Sequence, residues 1–158
     1  MATNKPWLKI TGGSAIAIAS ALGMYFEGTR YTAYKDIGGV PTICTGETKG
    51  VYLGMTATPA ECAAMFQGSM SHALQNVDDH LKVLVPETRR AAMADLDYNI
   101  GDAAFNRSSV LRKINEGYTL QGCNDMLLYI YAGGKKSQGL LNRRQAEQAL
   151  CLQGLNVP

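Results

Sequence analysis

Residues 31 to 55 are rich in Tyr, Thr, Val and Ile, and they are broken by Gly38, Gly39, Gly46, Gly50 and Gly54. β-forming residues punctuated by glycine at this density cannot continue as a helix; the pattern predicts a small antiparallel β element with tight turns. Directly after it, Thr58-Pro59-Ala60-Glu61 carries three helix-start signals. Thr58 is the N-cap, Pro59 fits the first helical position, and Glu61 completes a capping box. That helix should run toward residue 80. Another opens at Pro86-Glu87, carries Ala91, Ala92, Met93, Leu96 and Ile100, and stops near Gly101. Further helices are expected over 109–116, 120–131 and 142–152, ending at Gly117, at Gly133-Gly134 and at Gly154, with Asn142-Arg143-Arg144 opening the last. With 158 residues and no repeats or linkers, the chain reads as one α+β domain, large enough to bury most of its unfolded surface.

The N-terminus divides from this domain at residue 26. Lys5 and Lys9 precede an uncharged run from Ile10 to Phe26, rich in Gly, Ala and Ser. That run is slightly short and weakly apolar for a membrane helix, which needs about 20 residues. Three readings compete: a marginal membrane anchor that is later released, a signal peptide cleaved at Ala19-Ser20-Ala21, and a plain buried helix. Cleavage there would leave Glu27 without most of its helix, so the anchor ranks first. Lys5 and Lys9 then put the N-terminus inside and residues 27–158 outside.

Two carboxylates, Glu27 and Asp36, and a hydroxyl, Thr42, follow in close order. Glu27 ends the apolar run. A partly dry setting of that kind keeps a carboxylic acid protonated as a proton donor. Asp36 lies among turn residues (Lys35, Gly38, Gly39), a solvated setting. Two carboxyls in contrasting environments suit glycoside hydrolysis, which needs one acid and one base or nucleophile.

The remaining signals are weaker. A net charge of +2 gives no case for nucleic acid. Residues 107–144 are locally basic (Arg107, Arg112, Lys113, Lys135, Lys136, Arg143, Arg144), either a solvated face or an attraction to an anionic polymer. Cys44, Cys62, Cys123 and Cys151 lack Cys-x-x-Cys spacing, against a zinc or thioredoxin-like site. In an oxidising compartment they allow two disulfides; proximity favours Cys44–Cys62 and Cys123–Cys151, with four buried thiols the alternative. His72 and His80 have no ligand spacing and should lie at the surface.

Taken together, Glu27-Gly28, Tyr34-x-Asp36 and Gly39-x-x-Thr42-x-x-x-Gly46-x-Thr48 resemble the active-site signature of the phage-type lysozymes, muramidases of the endolysin class. Tyr98-Asn99-Ile100-Gly101, then Phe105 and Leu111-Arg112-Lys113-Ile114-Asn115-x-Gly117, resemble that family's central motif. Tyr131-Ala132-Gly133-Gly134-Lys135 through Gly139-Leu140-x-Asn142-Arg143-Arg144 resembles its C-terminal one. Tyr129 departs from the pattern, standing where relatives often carry Trp. The resemblance implies a lysozyme-like α+β fold and cleavage of the β-1,4 bond between N-acetylmuramic acid and N-acetylglucosamine in peptidoglycan. It casts Glu27 as acid, Asp36 as base or electrostatic stabiliser and Thr42 as holder of the water. Tyr98, Asn99 and Arg143 become candidate substrate contacts. It implies a monomer that needs no metal or organic cofactor. The N-terminal run is similar to that of signal-arrest-release endolysins, which implies an inner-membrane stage followed by release to the periplasm. The alternatives are a lytic transglycosylase, a holin-like membrane-lesion protein and a non-catalytic wall-binding module.

Overall fold

The structure is a computed structural model, and it describes residues 14–155. Helix α1 (Ala15–Glu27) opens on Ser14, whose hydroxyl accepts the Ala17 N–H, and ends at Gly28, where φ is +69°. It is followed by β1 (Arg30–Lys35) and β2 (Pro41–Cys44), antiparallel with Tyr34 opposite Thr42. The chain then returns along β1: Ala33 N–H donates to Met55 O, and Ala57 N–H to Tyr31 O, each at 2.9 Å. This is the expected β element. The expected capping box also forms on α2 (Pro59–His80): Thr58 Oγ1 accepts the Glu61 N–H at 3.2 Å, and Glu61 Oε2 accepts the Thr58 N–H at 2.7 Å.

At 22 residues, α2 is about 33 Å long and joins the β lobe to the helical lobe. Near its start, Cys62 is bonded to Cys44 at the end of β2, in a small apolar cluster with Ile43. Farther along, Phe66, Met70, Ala73 and Val77 enter the main core. That core surrounds α3 (Glu87–Ile100), whose residues 91–97 are all buried and which packs against α1, α2 and α7. Helices α4 (Asp102–Asn106), α5 (Ser109–Asn115) and α6 (Thr119–Asn124) close one side, and α7 (Gln138–Leu152) completes the lobe.

Two sequence expectations are corrected, and one short helix is added. The stretch 120–131 is not one helix. α6 stops at Asn124, a 3-10 turn covers Asp125–Leu128, and a hairpin follows, β3 (Tyr131–Ala132) with β4 (Lys135–Lys136). Tyr129, Ile130 and Tyr131 favour extended backbone. Gly133 and Gly134, at φ 56° and 78°, supply the two left-handed positions of a two-residue hairpin turn. Helix α7 starts before Asn142, because Ser137 caps it, its hydroxyl accepting the Leu140 N–H at 3.2 Å. The short α4 follows directly on Gly101 and has no side-chain cap that would signal it in the sequence.

The basic stretch is not a single face either. Arg143 and Arg144 are buried, and Lys113 pairs with Asp125 at 2.7 Å. His72 and His80 are exposed, as read from the sequence. A second disulfide joins Cys123 to Cys151 and pins α6 to the end of α7. Among the described residues no helix is long and apolar enough to cross a membrane. The Ile10–Phe26 run begins outside the described residues.

Candidate active site

Glu27 is the last residue of α1, so the packing of that helix fixes its position. α1 buries Ala15, Ile18, Ala19, Leu22 and Gly23. Burying Ile18 and Leu22 contributes roughly 1.5–3 kcal/mol each. Gly23 is needed for close approach: a Cβ there would stand 2.3 Å from Phe66 Cζ and 3.1 Å from Asp95 Oδ1. At the other end of the helix, Ala15 N–H donates to Glu87 Oε2 at 2.7 Å. That hydrogen bond holds the Glu87 carboxyl below the usual range, against its partial burial and with help from Arg90.

The Glu27 side chain is 24% exposed, and its Oε1 lies 2.5 Å from Arg143 Nη1. Arg143 itself is only 4% exposed. Its Nε and Nη2 donate to the two oxygens of Asp95 at 2.9 and 2.8 Å. Burial alone would raise the Asp95 carboxyl; the charge and hydrogen bonds of Arg143 outweigh it and hold Asp95 low. Glu147, one turn along α7 and fully buried, is pushed well above the usual carboxylate range by burial and by the Asp95 charge. Arg144 Nε comes within 2.9 Å of Glu147 Oε2, yet neither atom makes a directed hydrogen bond; Nη2 donates to Asn99 Oδ1 at 2.7 Å. The two buried acids are therefore pushed in opposite directions: Asp95, which anchors Arg143, is held low by that arginine, and Glu147 is raised by burial.

The cleft beside Glu27 is a cavity of about 440 Å³ whose walls include Tyr34, Cys44 and Thr45. Cys44 has φ +57°, an uncommon conformation for a residue with a side chain, on the cleft wall where the disulfide to Cys62 holds it. Asp36 sits at the turn between β1 and β2, exposed and outside that cavity lining. Its Oδ1 accepts the Val40 N–H at 2.8 Å, which closes the turn. Thr42, 3% exposed, donates its hydroxyl to Val40 O at 2.9 Å. One local network thus holds Asp36 and Thr42, and the hairpin carrying it faces solvent on its Asp36 side.

Tyr98 packs on Phe66 with ring centroids 5.2 Å apart. Burial, then the negative charges of Glu27 and Glu47, push its phenol up to about 12, so it is a hydrogen-bond donor at neutral pH. Asn99 is exposed and engaged with Arg144. Arg143 reaches the cleft through Glu27 and is not itself exposed to it. Sequence reasoning missed Asp95, Glu147 and Glu47, whose carboxylate takes the Ser69 hydroxyl at 3.1 Å. The one available signal was Arg143-Arg144 followed by Glu147 at helical spacing.

Residues 24–147 match the phage lysozyme family. The chain is 43% identical over 150 residues to the SAR-endolysin of Enterobacteria phage P21, across 90% of this chain and 91% of that one. Its fold superposes on a P22 lysozyme mutant with a TM-score of 0.78 at 32% identity, covering 85% of this chain and 94% of that one. It also superposes on the active form of the P1 phage endolysin Lyz, with a TM-score of 0.75 at 26% identity and coverage of 87% and 85%.

Proposed function

The chain belongs to the phage lysozyme family, and from that premise we propose that it is an endolysin cleaving the β-1,4 bond between N-acetylmuramic acid and N-acetylglucosamine of peptidoglycan. The observation that carries this reading is the position of Glu27: at the end of a buried helix, on the cleft, with one oxygen fixed by an arginine. In the proposed reaction the second oxygen of Glu27 protonates the leaving glycosidic oxygen. Asp36, solvated at the hairpin turn, activates a water or stabilises the oxocarbenium-like transition state. Thr42 helps to order that water. A water attacking from the face opposite the leaving group gives inversion, for which the two carboxyls stand roughly 6.5–9.5 Å apart when substrate is bound.

The same reading includes a membrane stage. While the 10–26 run is inserted, with the N-terminus inside, Glu27 lies at the outer headgroup layer and cannot complete the cleft. The packing of α1 supports retention of the segment after release. Cleavage after Ala21 would delete Ala15, Ile18 and Ala19 from the core, and would remove the Ala15–Glu87 hydrogen bond. No cysteine precedes Cys44, so release needs no thiol chemistry in the segment. The released protein acts as a periplasmic monomer.

The test is loss of turbidity of outer-membrane-permeabilised Gram-negative cells, wild type against Glu27→Gln. Lysis by the wild type alone, with new reducing ends, is expected. Undiminished lysis by Glu27→Gln would sink the assignment, and 1,6-anhydro ends would make the enzyme a lytic transglycosylase.

A further inference from the structure

Most cations of the C-terminal half are used inside the fold. Arg143 and Arg144 serve the buried cluster, Lys113 pairs with Asp125, and Arg90 pairs with Asp78 and Glu87. Lys135 and Lys136 are different. Both are exposed, and neither has an ion pair among the described residues. From Met126 to Ala146 the sequence holds four cations and no acid. The two left unneutralised follow one another along β4, one toward each face of the hairpin, in a segment where no carboxylate competes for them.

The hairpin that presents them is fixed at its base. Tyr131 pairs with Lys136 and Ala132 with Lys135 across the ladder, Ser137 N–H donates to Ile130 O at 2.9 Å, and Ser137 then caps α7. Its side chains contribute little to the fold: both strands are exposed, and Tyr131 is 58% exposed. The hairpin leads through Ser137 into α7, and Arg143, the arginine that holds Glu27, lies about 8 Å along that helix from its first residue, Gln138. A polysaccharide strand covers a distance of that order in a few sugar units.

We propose that the β3–β4 hairpin is a substrate-specificity element, with Lys135 and Lys136 binding the free carboxylates of the peptide side chains that flank the bond being cleaved. This deepens the muramidase reading and rests on it. The lysines make no contact with the reacting atoms, so they act on binding of the peptide-bearing polymer and leave the chemical step alone. Two exposed cations on one hairpin attract carboxylates at low salt, and the attraction fades as the Debye length shortens from about 10 Å at 0.1 M toward about 3 Å at 1 M.

The experiment compares wild type with Lys135→Glu/Lys136→Glu on intact sacculi and on glycan strands stripped of peptides by an amidase, with kcat and KM read from reducing ends. On sacculi at low salt the variant should show KM raised tenfold or more with kcat within twofold. On stripped strands the two proteins should match, and high salt should close the gap on sacculi. The charge-neutral Lys135→Gln/Lys136→Gln should fall between them, and it replaces the reversal if that variant melts early. Unchanged KM on sacculi at low salt, or an equal loss on stripped strands, overturns the proposal. Failure of the wild type to release reducing ends from either substrate would instead refute the muramidase reading.

Discussion

Arg143 bridges Asp95 and Glu27: Nε and Nη2 are fixed on the Asp95 carboxylate at 2.9 and 2.8 Å, and Nη1 lies 2.5 Å from Glu27 Oε1. The arginine is bidentate toward the buried acid and single toward the half-buried one at the cleft. Its orientation is therefore set from inside the protein and transmitted to the cleft. Lysine cannot reproduce that fork, because an ammonium is a point charge on a flexible stem.

Removing this bridge should cost both stability and rate. Arg143→Met leaves Asp95 buried without its main partner, and breaking a buried pair typically costs about 3–5 kcal/mol. Arg143→Lys keeps a charge near Asp95 and should lose less stability, yet it should lower kcat by releasing Glu27. Urea melts and turbidity assays on both variants check this. An Arg143→Lys protein with the wild-type rate would mean that Glu27 needs no positioning.

Gly23 makes a second expectation sharp. In a helix interior, alanine outranks glycine by about 0.8–1.0 kcal/mol. A Cβ at this position would meet Phe66 Cζ at 2.3 Å, and Phe66 is fully buried against Tyr98. Overpacking of that kind costs about 1–3 kcal/mol. The clash should win, so Gly23→Ala is expected to be less stable than wild type, with much of the loss recovered in Gly23→Ala/Phe66→Leu. Equal or higher stability of the single variant in denaturant would show that α1 docks loosely enough to admit a methyl group at position 23.

These two sites show what was legible in the sequence. Glu27, Asp36 and Thr42 can be named as candidates from the sequence because their signals are local: an apolar run, a glycine-rich turn and fixed spacing within one short segment. The capping box of α2 was readable for the same reason. The support for Glu27 was not, because Asp95 and Arg143 are 48 positions apart and Glu27 and Arg143 are 116 apart. The β3–β4 hairpin was hidden because a short apolar run such as Leu127-Leu128-Tyr129-Ile130 suits a helix end or a strand equally well. Gly139, directly inside α7, disguised the helix start that Ser137 caps.

Asp97 should give stability a pH dependence opposite to that of a salt-bridged acid. Its carboxyl is fully buried, accepts one long hydrogen bond from Asn76 at 3.3 Å, and has an unpartnered Oδ2. Burial, then the nearby Asp102 charge, push it from 3.8 up to about 6, with the Asn76 hydrogen bond and, more weakly, His72 pulling the other way. The folded state then holds a proton that the unfolded state has released between about pH 4 and 6, so stability falls as pH rises through that window. The full penalty, present above pH 6, is of the order of 3 kcal/mol. Asp97→Asn should therefore raise Tm by several degrees at pH 8 and change it little at pH 4. A Tm difference that is flat with pH would mean that Asp97 does not titrate in this range.

The last expectation concerns release from the membrane. Lys5 and Lys9 lie on the cytoplasmic side of the proposed anchor, and escape to the periplasm carries both across. Against a negative interior that costs about 2.3 kcal/mol per charge per 100 mV, roughly 5 kcal/mol for the pair. The 10–26 run resists escape only weakly, because Gly12, Gly13, Ser14, Ser20 and Gly23 stand where larger apolar side chains would each add roughly 1.5–3 kcal/mol of burial. On this accounting the membrane potential is a large part of what holds the segment, and its collapse is the expected trigger. In the folded protein α1 packs against α2 and α3; the freed segment is expected to adopt that packing and so carry Glu27 into the cleft. Gly23 cannot be used to test this, because enlarging it would also block docking. Gly12 and Gly13 lie outside the described residues, ahead of the docked helix. Gly12→Leu/Gly13→Leu should yield a full-length protein that stays in the membrane fraction after the potential is discharged and does not lyse cells until detergent frees it. If that variant lyses as fast as wild type while membrane-bound, tethering does not inhibit the enzyme. If the wild-type periplasmic protein begins after Ala21, the segment is a cleaved signal peptide and α1 is not part of the mature fold.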